Sequence, residues 1–175
     1  ALASVDSAMA AAAWDHQAGN FASALAQWDQ ARLQALALGD THAQARAQLQ
    51  GRAATPDDLP HLPLTRQILE EAMRLYPPVG LLARTVLEED ELCGRQMRPN
   101  DIVFLPIWAL HRHELLWEQP DRFRPDRFDP ESSARLNKYQ FLPFGAGPRV
   151  CVGADFAMMQ AQIILATVLQ EFEFA

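Results

Sequence analysis

Cysteine, basic charge and long apolar runs are all scarce in this sequence, and each scarcity excludes a class of protein. Only Cys93 and Cys151 are present, which excludes a disulfide framework and favours a reducing compartment. With 15 Lys and Arg against 22 Asp and Glu, the formal net charge is -7, so a nucleic-acid partner is not expected. The longest apolar run near the N-terminus, Ala8 to Trp14, is too short to cross a membrane.

What is present suits a folded, mainly helical protein. Hydrophobic residues make up 49% of the 175 positions, which is enough to bury a core. Residues 1–54 are rich in alanine, with apolar side chains at loose helical spacing, and predict a helical segment. The alanine content and the lack of an apolar N-terminal run lead us to expect a cytoplasmic, bacterial protein, while a membrane anchor preceding Ala1 stays open.

Start and stop signals divide residues 55–175 into elements. Thr55-Pro56-Asp57-Asp58 combines a capping Thr, Pro at the first helical position and acids near the positive helix end, which predicts a short helix. Pro77-Pro78 cannot continue the helical spacing that precedes it. Short apolar runs broken by turn residues predict a minor antiparallel sheet within residues 79–106. The remaining predictions are a helix over roughly 62–76, a short helix over Trp108–Trp117, a proline-rich irregular stretch after it, and a helix over Val152–Phe172.

The most specific motif is the run FGAGPRVCVG, residues 144–153, directly before the last predicted helix. Gly145 and Gly147 permit a tight turn whose backbone comes close to a ligand. A cysteine just before a helix N-terminus has its thiolate favoured by the helix dipole and free amides, so Cys151 is suited to be an anion.

The neighbours of this cysteine complete the pattern. Arg149 can reach past the cysteine to an acidic group on the same ligand, and Phe144 can shield the sulfur from water. Gly153 leaves room for a flat cofactor against the helix. Taken alone, a cysteine between glycines is more often a small buried residue. The complete ten-residue pattern makes a ligand role for this cysteine the better interpretation, because so long a pattern rarely arises by chance.

The pattern Phe-Gly-x-Gly-x-Arg-x-Cys-x-Gly resembles the cysteine-ligand loop of the cytochrome P-450 family, with every fixed position present. The resemblance implies haem b, iron protoporphyrin IX, with Cys151 as the axial ligand of its iron. It also implies a fold that is mainly helical with a small antiparallel sheet, the C-terminal part of the P-450 fold, with residues 55–175 as the haem-binding region. The implied cofactor-binding residues are Cys151, Arg149, Phe144, Gly145, Gly147, Gly153 and Arg84.

A second motif is Glu71-Ala72-Met73-Arg74 on the predicted helix, where a spacing of three puts both charges on one face. Alone, this pattern is typical of an ordinary surface ion pair. By resemblance to the family, Glu71 and Arg74 meet Arg127 in a buried charge network that fixes the cysteine loop. Arg84 matches a position that binds a haem propionate in the family, with a plain strand arginine as the alternative. His111-Arg112 resembles a recurrent pair near the haem edge, but a solvated helix end is equally consistent with the sequence.

The resemblance implies a haem-thiolate monooxygenase. Such an enzyme takes dioxygen and a small, apolar organic substrate, and it receives two electrons from a ferredoxin, a flavodoxin or a flavoprotein reductase. The oxygen-activating threonine segment of the family has no convincing copy here, because Gly39-Asp40-Thr41 lies too close to the following helices. We therefore identify no catalytic residue, and we expect a truncated, by itself inactive P-450. The alternatives are a non-catalytic haem-binding or partner-binding module and a peroxide-using relative.

Overall fold

A computed structural model describes residues 39–172 of the chain. Most of the helical segment predicted for residues 1–54 lies outside the described residues, but residues 39–49 are helical as expected (α1). By their internal contacts, the described residues divide into two units. The first contains residues 39–72, 122–135 and 152–172, and the second contains residues 73–121 and 136–151. The boundary at residue 54/55 stays a prediction.

The first unit is helical. Besides α1 it contains a 3-10 helix at Pro56–His61, the first ten residues of α2 (Pro63–Leu75), a 3-10 helix at Pro125–Phe128, α4 (Pro130–Ser133) and α5 (Ala154–Glu171). Its core consists of apolar residues from α1, from α5 and from the position just before α2, namely Ala45, Leu49, Leu62, Ala166 and Leu169. Side-chain hydrogen bonds of Gln170 to the backbone of Gly51 and Arg52 join the end of α5 to the turn after α1.

Thr55 caps the 3-10 helix at Pro56–His61, at the helix start that the sequence predicts. The Asp58 carboxylate accepts hydrogen bonds from the backbone N–H and the hydroxyl of Thr55, at 2.9 and 2.8 Å. The Arg52 guanidinium also donates to Asp58, and this bond is the main reason why the pKa of Asp58 lies well below its usual range. The following helix α2 ends at Leu75, two residues before the proline pair, as the sequence predicts.

The second unit contains four short strands. Strands β1 (Leu82–Thr85) and β4 (Ile102–Leu105) pair antiparallel, with Leu82 opposite Leu105. Strands β2 (Asp90–Leu92) and β3 (Arg95–Met97) form a separate antiparallel hairpin. Its turn residues Cys93 and Gly94 both have positive φ, as a tight two-residue hairpin turn requires. The strands are antiparallel as predicted, but they make two two-stranded sheets instead of one.

The helix expected over Trp108–Trp117 is shorter than predicted, because α3 covers only Ile107–Leu110. After α3 the hydrogen bonds change to a three-residue spacing, because the Arg112 N–H donates to the Ala109 carbonyl at 3.2 Å and the His113 N–H donates to the Leu110 carbonyl at 3.3 Å. Residues 113–117 continue as turns, with the N–H groups of Leu116 and Trp117 both donating to the His113 carbonyl. Local turn-type hydrogen bonds therefore replace the helical ladder beyond Leu110.

Candidate functional site

The cysteine motif forms a loop that is closed by its own backbone. The Gly145 N–H donates to the Leu142 carbonyl at 3.1 Å, and the Cys151 N–H donates to the Phe144 carbonyl at 2.9 Å. Gly145 and Gly147 have φ of 76° and 71°, which side-chain-bearing residues rarely adopt. Gly147 then begins a 3-10 turn, Gly147–Arg149. The two glycines therefore set the path that brings the chain back to Cys151.

This loop forms one wall of a cavity of about 380 Å³. The exposed Cys151 lies at this cavity, and most of the other lining side chains are apolar. All of the lining residues belong to the second unit: Pro78, Val79, Leu82, Arg84, Leu142, Pro143, Phe144, Gly145, Arg149 and Cys151. Five of these residues were suggested as cofactor-binding residues by the sequence: Arg84, Phe144, Gly145, Arg149 and Cys151.

Two guanidinium groups line the same cavity as the thiol. Arg84 lies on β1, where its side chain donates to the Ala83 carbonyl at 2.8 Å, and Arg149 ends the 3-10 turn of the loop. Both arginines are exposed, so their charges remain available to an acidic ligand. Gly147 shapes the loop without lining the cavity, and Gly153 lies in the first unit as the residue before α5.

Glu71 and Arg127 form a buried ion pair within the first unit. Their side chains are 0% and 7% exposed, and the Arg127 Nε lies 3.4 Å from Glu71 Oε1. The same carboxylate oxygen accepts the backbone N–H of Arg124 at 2.7 Å. Glu71 therefore connects α2 to the 3-10 helix at Pro125–Phe128. Two of the three residues of the predicted charge network are in direct contact.

Arg74, the third residue of the predicted network, is fully buried in the second unit. Its guanidinium donates to the carbonyls of His111 and Pro120, at 2.8 and 2.6 Å, and lies 5.1 Å from the centre of the Trp117 ring. These contacts tie the end of α2 to residues 111–120. That all three charges act as one network stays a prediction.

His111 lies outside the cavity lining, and its burial could not be predicted from the sequence. Its side chain is fully buried, which excludes the solvated helix end considered above, and its Nε2 accepts the Leu142 N–H at 2.8 Å. Burial lowers the pKa of His111 to about 4, because it disfavours the charged ring. The sequence pointed to this position only through the likeness of His111-Arg112 to a recurrent family pair. In the structure, the Arg112 guanidinium lies over the Trp108 ring at 4.5 Å.

Comparison with known proteins identifies the family to which this site belongs. The family model described as Cytochrome P450 matches residues 42–175, which is most of the chain. The chain belongs to the cytochrome P450 family. The mainly helical fold with small antiparallel sheets is also that of a P450: the crystal structure of the cytochrome P450DA heme domain matches 77% of this chain with a TM-score of 0.72 and 33% identity.

Individual P450 relatives come from several kingdoms. Cyclooctatin synthase of Streptomyces melanosporofaciens is 40% identical over 73% of this chain, and cytochrome P450 3A12 of Canis lupus familiaris is 39% identical over 69% of it. Cytochrome P450 71D95 of Mentha spicata is 32% identical over 78%. The chain spans only 24 to 28% of the length of these curated relatives and 30% of the P450DA chain.

The residues around Cys151 fit haem, the cofactor that the P450 family binds. An exposed thiol can supply the iron ligand, apolar lining residues such as Leu82 and Phe144 suit the ring, and two guanidinium groups suit its carboxylates. A Cβ added to Gly145 would make an ordinary 3.7 Å contact with the Leu82 side chain, so the positive φ, and not a lack of space, is what favours glycine there. Within residues 39–172, no helix is both long and apolar enough to span a membrane.

Proposed function

We propose that this chain is the iron-ligating part of a haem-thiolate monooxygenase, with Cys151 as the protein ligand. One observation carries the proposal: the exposed Cys151 thiol shares a mostly apolar cavity with the guanidinium groups of Arg84 and Arg149. A thiol, an apolar surface and two cations match the iron, the ring and the propionates of haem b. Membership of the P450 family supports the same reaction class.

Each residue has a distinct task in this proposal. Cys151 Sγ ligates the iron as a thiolate, and Phe144 keeps water from the sulfur. Arg84 and Arg149 bind the carboxylates of the cofactor and so fix its orientation. When bound, the haem would supply activation of dioxygen: one oxygen atom would enter an organic substrate, and the other would leave as water with two electrons from a donor protein and two protons from solvent.

The substrate is proposed to be a small, apolar organic molecule. Val79 and Leu82 support this proposal, because they put aliphatic side chains in the cavity. Among its described lining residues, Arg84 and Arg149 are the two charged ones. A ferredoxin, a flavodoxin or a flavoprotein reductase is proposed as the electron donor. The 175-residue chain by itself is proposed to be inactive, since it spans about a quarter of its relatives.

The proposal is tested by reducing the haem-loaded, full-length natural protein under carbon monoxide. We expect the red-shifted Soret band of thiolate ligation, and we expect Cys151→Ser to abolish that band. Cys93→Ser is the matched control, because Cys93 is the other exposed cysteine and lies in the β2–β3 turn, away from the cavity-lining residues. A Cys151→Ser protein that keeps the band, or a Cys93→Ser protein that loses it, contradicts the assignment. A protein that takes up no haem at all contradicts the proposal and favours the non-catalytic, partner-binding module.

A further inference from the structure

His111 is a buried histidine that contacts Phe141 and Leu142, just before the cysteine motif of residues 144–153. Its Nε2 accepts the backbone N–H of Leu142 at 2.8 Å, and its ring packs against Phe141 with 5.3 Å between the ring centres. The His111 side chain is 0% exposed, so its ring nitrogens do not face solvent. The contact joins residues that are 31 positions apart in the sequence.

The surroundings of His111 keep its ring neutral. Burial has the largest effect on its pKa, and the positive charges of Arg74 and Arg112 add to the lowering, while the backbone carbonyls of Arg74 and Met73 oppose it. A neutral imidazole has one N–H and one acceptor nitrogen. Because Nε2 accepts the Leu142 N–H, the proton must lie on Nδ1.

Two further hydrogen bonds carry this contact to the cysteine. The Leu142 carbonyl accepts the N–H of Gly145, and the Phe144 carbonyl accepts the N–H of Cys151. Both bonds close turns within the loop, so the position of residue 142 sets the position of the turn that follows it. At its other end His111 is held by Arg74, which donates to its carbonyl at 2.8 Å.

We propose that His111 is a positioning residue, which sets the start of the cysteine loop by accepting the Leu142 N–H at Nε2. It does not touch the reacting atoms. It acts through the loop backbone by fixing the direction from which Cys151 Sγ meets its ligand. The contact of His111 with Leu142 is a property of the chain itself. Only the identity of the group that Cys151 binds rests on the proposed function.

The variants His111→Gln and His111→Asn test whether the acceptor must lie at the position of Nε2. The Gln side-chain oxygen can replace Nε2, whereas the shorter Asn side chain places its oxygen nearer to Nδ1. In the full-length protein, with and without haem, we expect amide exchange at Leu142 to be about tenfold faster in His111→Asn than in wild type. We expect His111→Gln to keep most of the wild-type protection.

A measurement on the wild-type protein guards against variants that do not fold. The ring nitrogen shifts of His111 should show the Nδ1–H tautomer, with Nε2 unprotonated and accepting. An Nε2–H tautomer, or a charged ring at pH 7, overturns the proposal. So does equal Leu142 protection in His111→Asn and wild type.

The effect on Cys151 is read from the acid loss of the thiolate Soret band in the haem-loaded protein. We expect His111→Asn to lose the band at higher pH than wild type and His111→Gln to lose it at no higher pH than wild type. Identical pH profiles for His111→Asn and wild type overturn the positioning role. If Cys151 is not the iron ligand, the thiolate band is absent from wild type or survives Cys151→Ser, while the Leu142 result still tests whether His111 sets the loop.

Discussion

The buried pair of Glu71 and Arg127 shows how much depends on a single side chain in this fold. Glu71 accepts both the Arg127 side chain and the Arg124 N–H. Glu71→Ala leaves the Arg127 charge and that N–H without this carboxylate in a buried place. We expect it to lower the free energy of unfolding by about 3–5 kcal/mol, measured by chemical denaturation.

A second ion pair on the same helix is the matched control for this prediction. Arg66 and Glu70 lie 3.0 Å apart at positions i and i+4 of α2, but the Arg66 side chain is 60% exposed. We expect Arg66→Ala to cost no more than about 0.5 kcal/mol. Equal losses for Glu71→Ala and Arg66→Ala would show that burial does not distinguish the two pairs.

At the scale of single residues, the sequence indicated which side chains matter but not whether they are buried or which groups they contact. The three-residue spacing placed Glu71 and Arg74 on one helix face, but it could not tell a buried pair from a surface pair. Burial is decided by residues 56 positions away for Glu71 and by residues 37 and 46 positions away for Arg74. His111 was left open for the same reason, because its acceptor role depends on Leu142.

At the scale of elements, the cysteine loop depends on backbone conformations that only glycine adopts freely. We expect Gly145→Ala and Gly147→Ala each to lower the free energy of unfolding by about 1–2 kcal/mol, because φ is 76° and 71°. No atom lies within 4 Å of a Cβ added at Gly147, so that cost is backbone strain alone.

Gly80→Ala is the control for the loop glycines. Gly80 does not have positive φ, and an added Cβ would make an ordinary 3.6 Å contact with the Trp108 Cβ. We expect a change within about 0.5 kcal/mol in the same denaturation experiment. A comparable loss at Gly80 would mean that added volume in this unit, and not the loop backbone, causes the destabilisation.

Elements with strong local signals were predicted well. Helix α2 was expected over roughly 62–76 and is Pro63–Leu75, and the last helix was expected over Val152–Phe172 and is Ala154–Glu171. Proline pairs and apolar periodicity are local, so the sequence carries them. Helix α3 was overestimated because the backbone changes to turn-type hydrogen bonds after Leu110, which apolar spacing does not reveal, and the division of the strands into two sheets depends on pairing that turn signals do not specify.

At the scale of the whole molecule, many large apolar side chains are exposed. In the second unit they include Val79, Leu81, Ile102, Phe104, Leu105 and Trp108. Apolar surface of this kind marks places where other protein or a ligand packs. We expect the 175-residue chain, expressed alone, to self-associate at micromolar concentration, as measured by light scattering after size-exclusion chromatography.

The variant Ile102→Thr/Phe104→Thr tests the cause of this association. Both residues lie on one face of β4 and are 56% and 59% exposed, and Thr keeps the strand preference. We expect a smaller average mass and weaker binding of an apolar dye. A monodisperse wild-type monomer that binds no dye would contradict the prediction and favour a self-sufficient module.

Family membership was the whole-molecule property that the sequence predicted most firmly, because the pattern in residues 144–153 is both long and specific. Substrate choice could not be predicted in the same way. The cavity contributes Val79 and Leu82 as aliphatic contacts, and these exclude few organic molecules. The rest of the length of the relatives, about three quarters, has no counterpart in this chain from which further contacts could be inferred.

The internal closure of the cysteine loop bears on the order in which the protein folds. The Phe144–Cys151 hydrogen bond spans seven positions, whereas the His111–Leu142 and Glu71–Arg127 contacts span 31 and 56. Closing a short loop costs less chain entropy and takes about 10–100 ns. We therefore expect the loop to form early and the distant contacts to hold it later. On the proposed function, we expect haem to bind to a turn that the chain has already made, so that assembly of the surrounding unit, and not formation of the loop, limits its uptake.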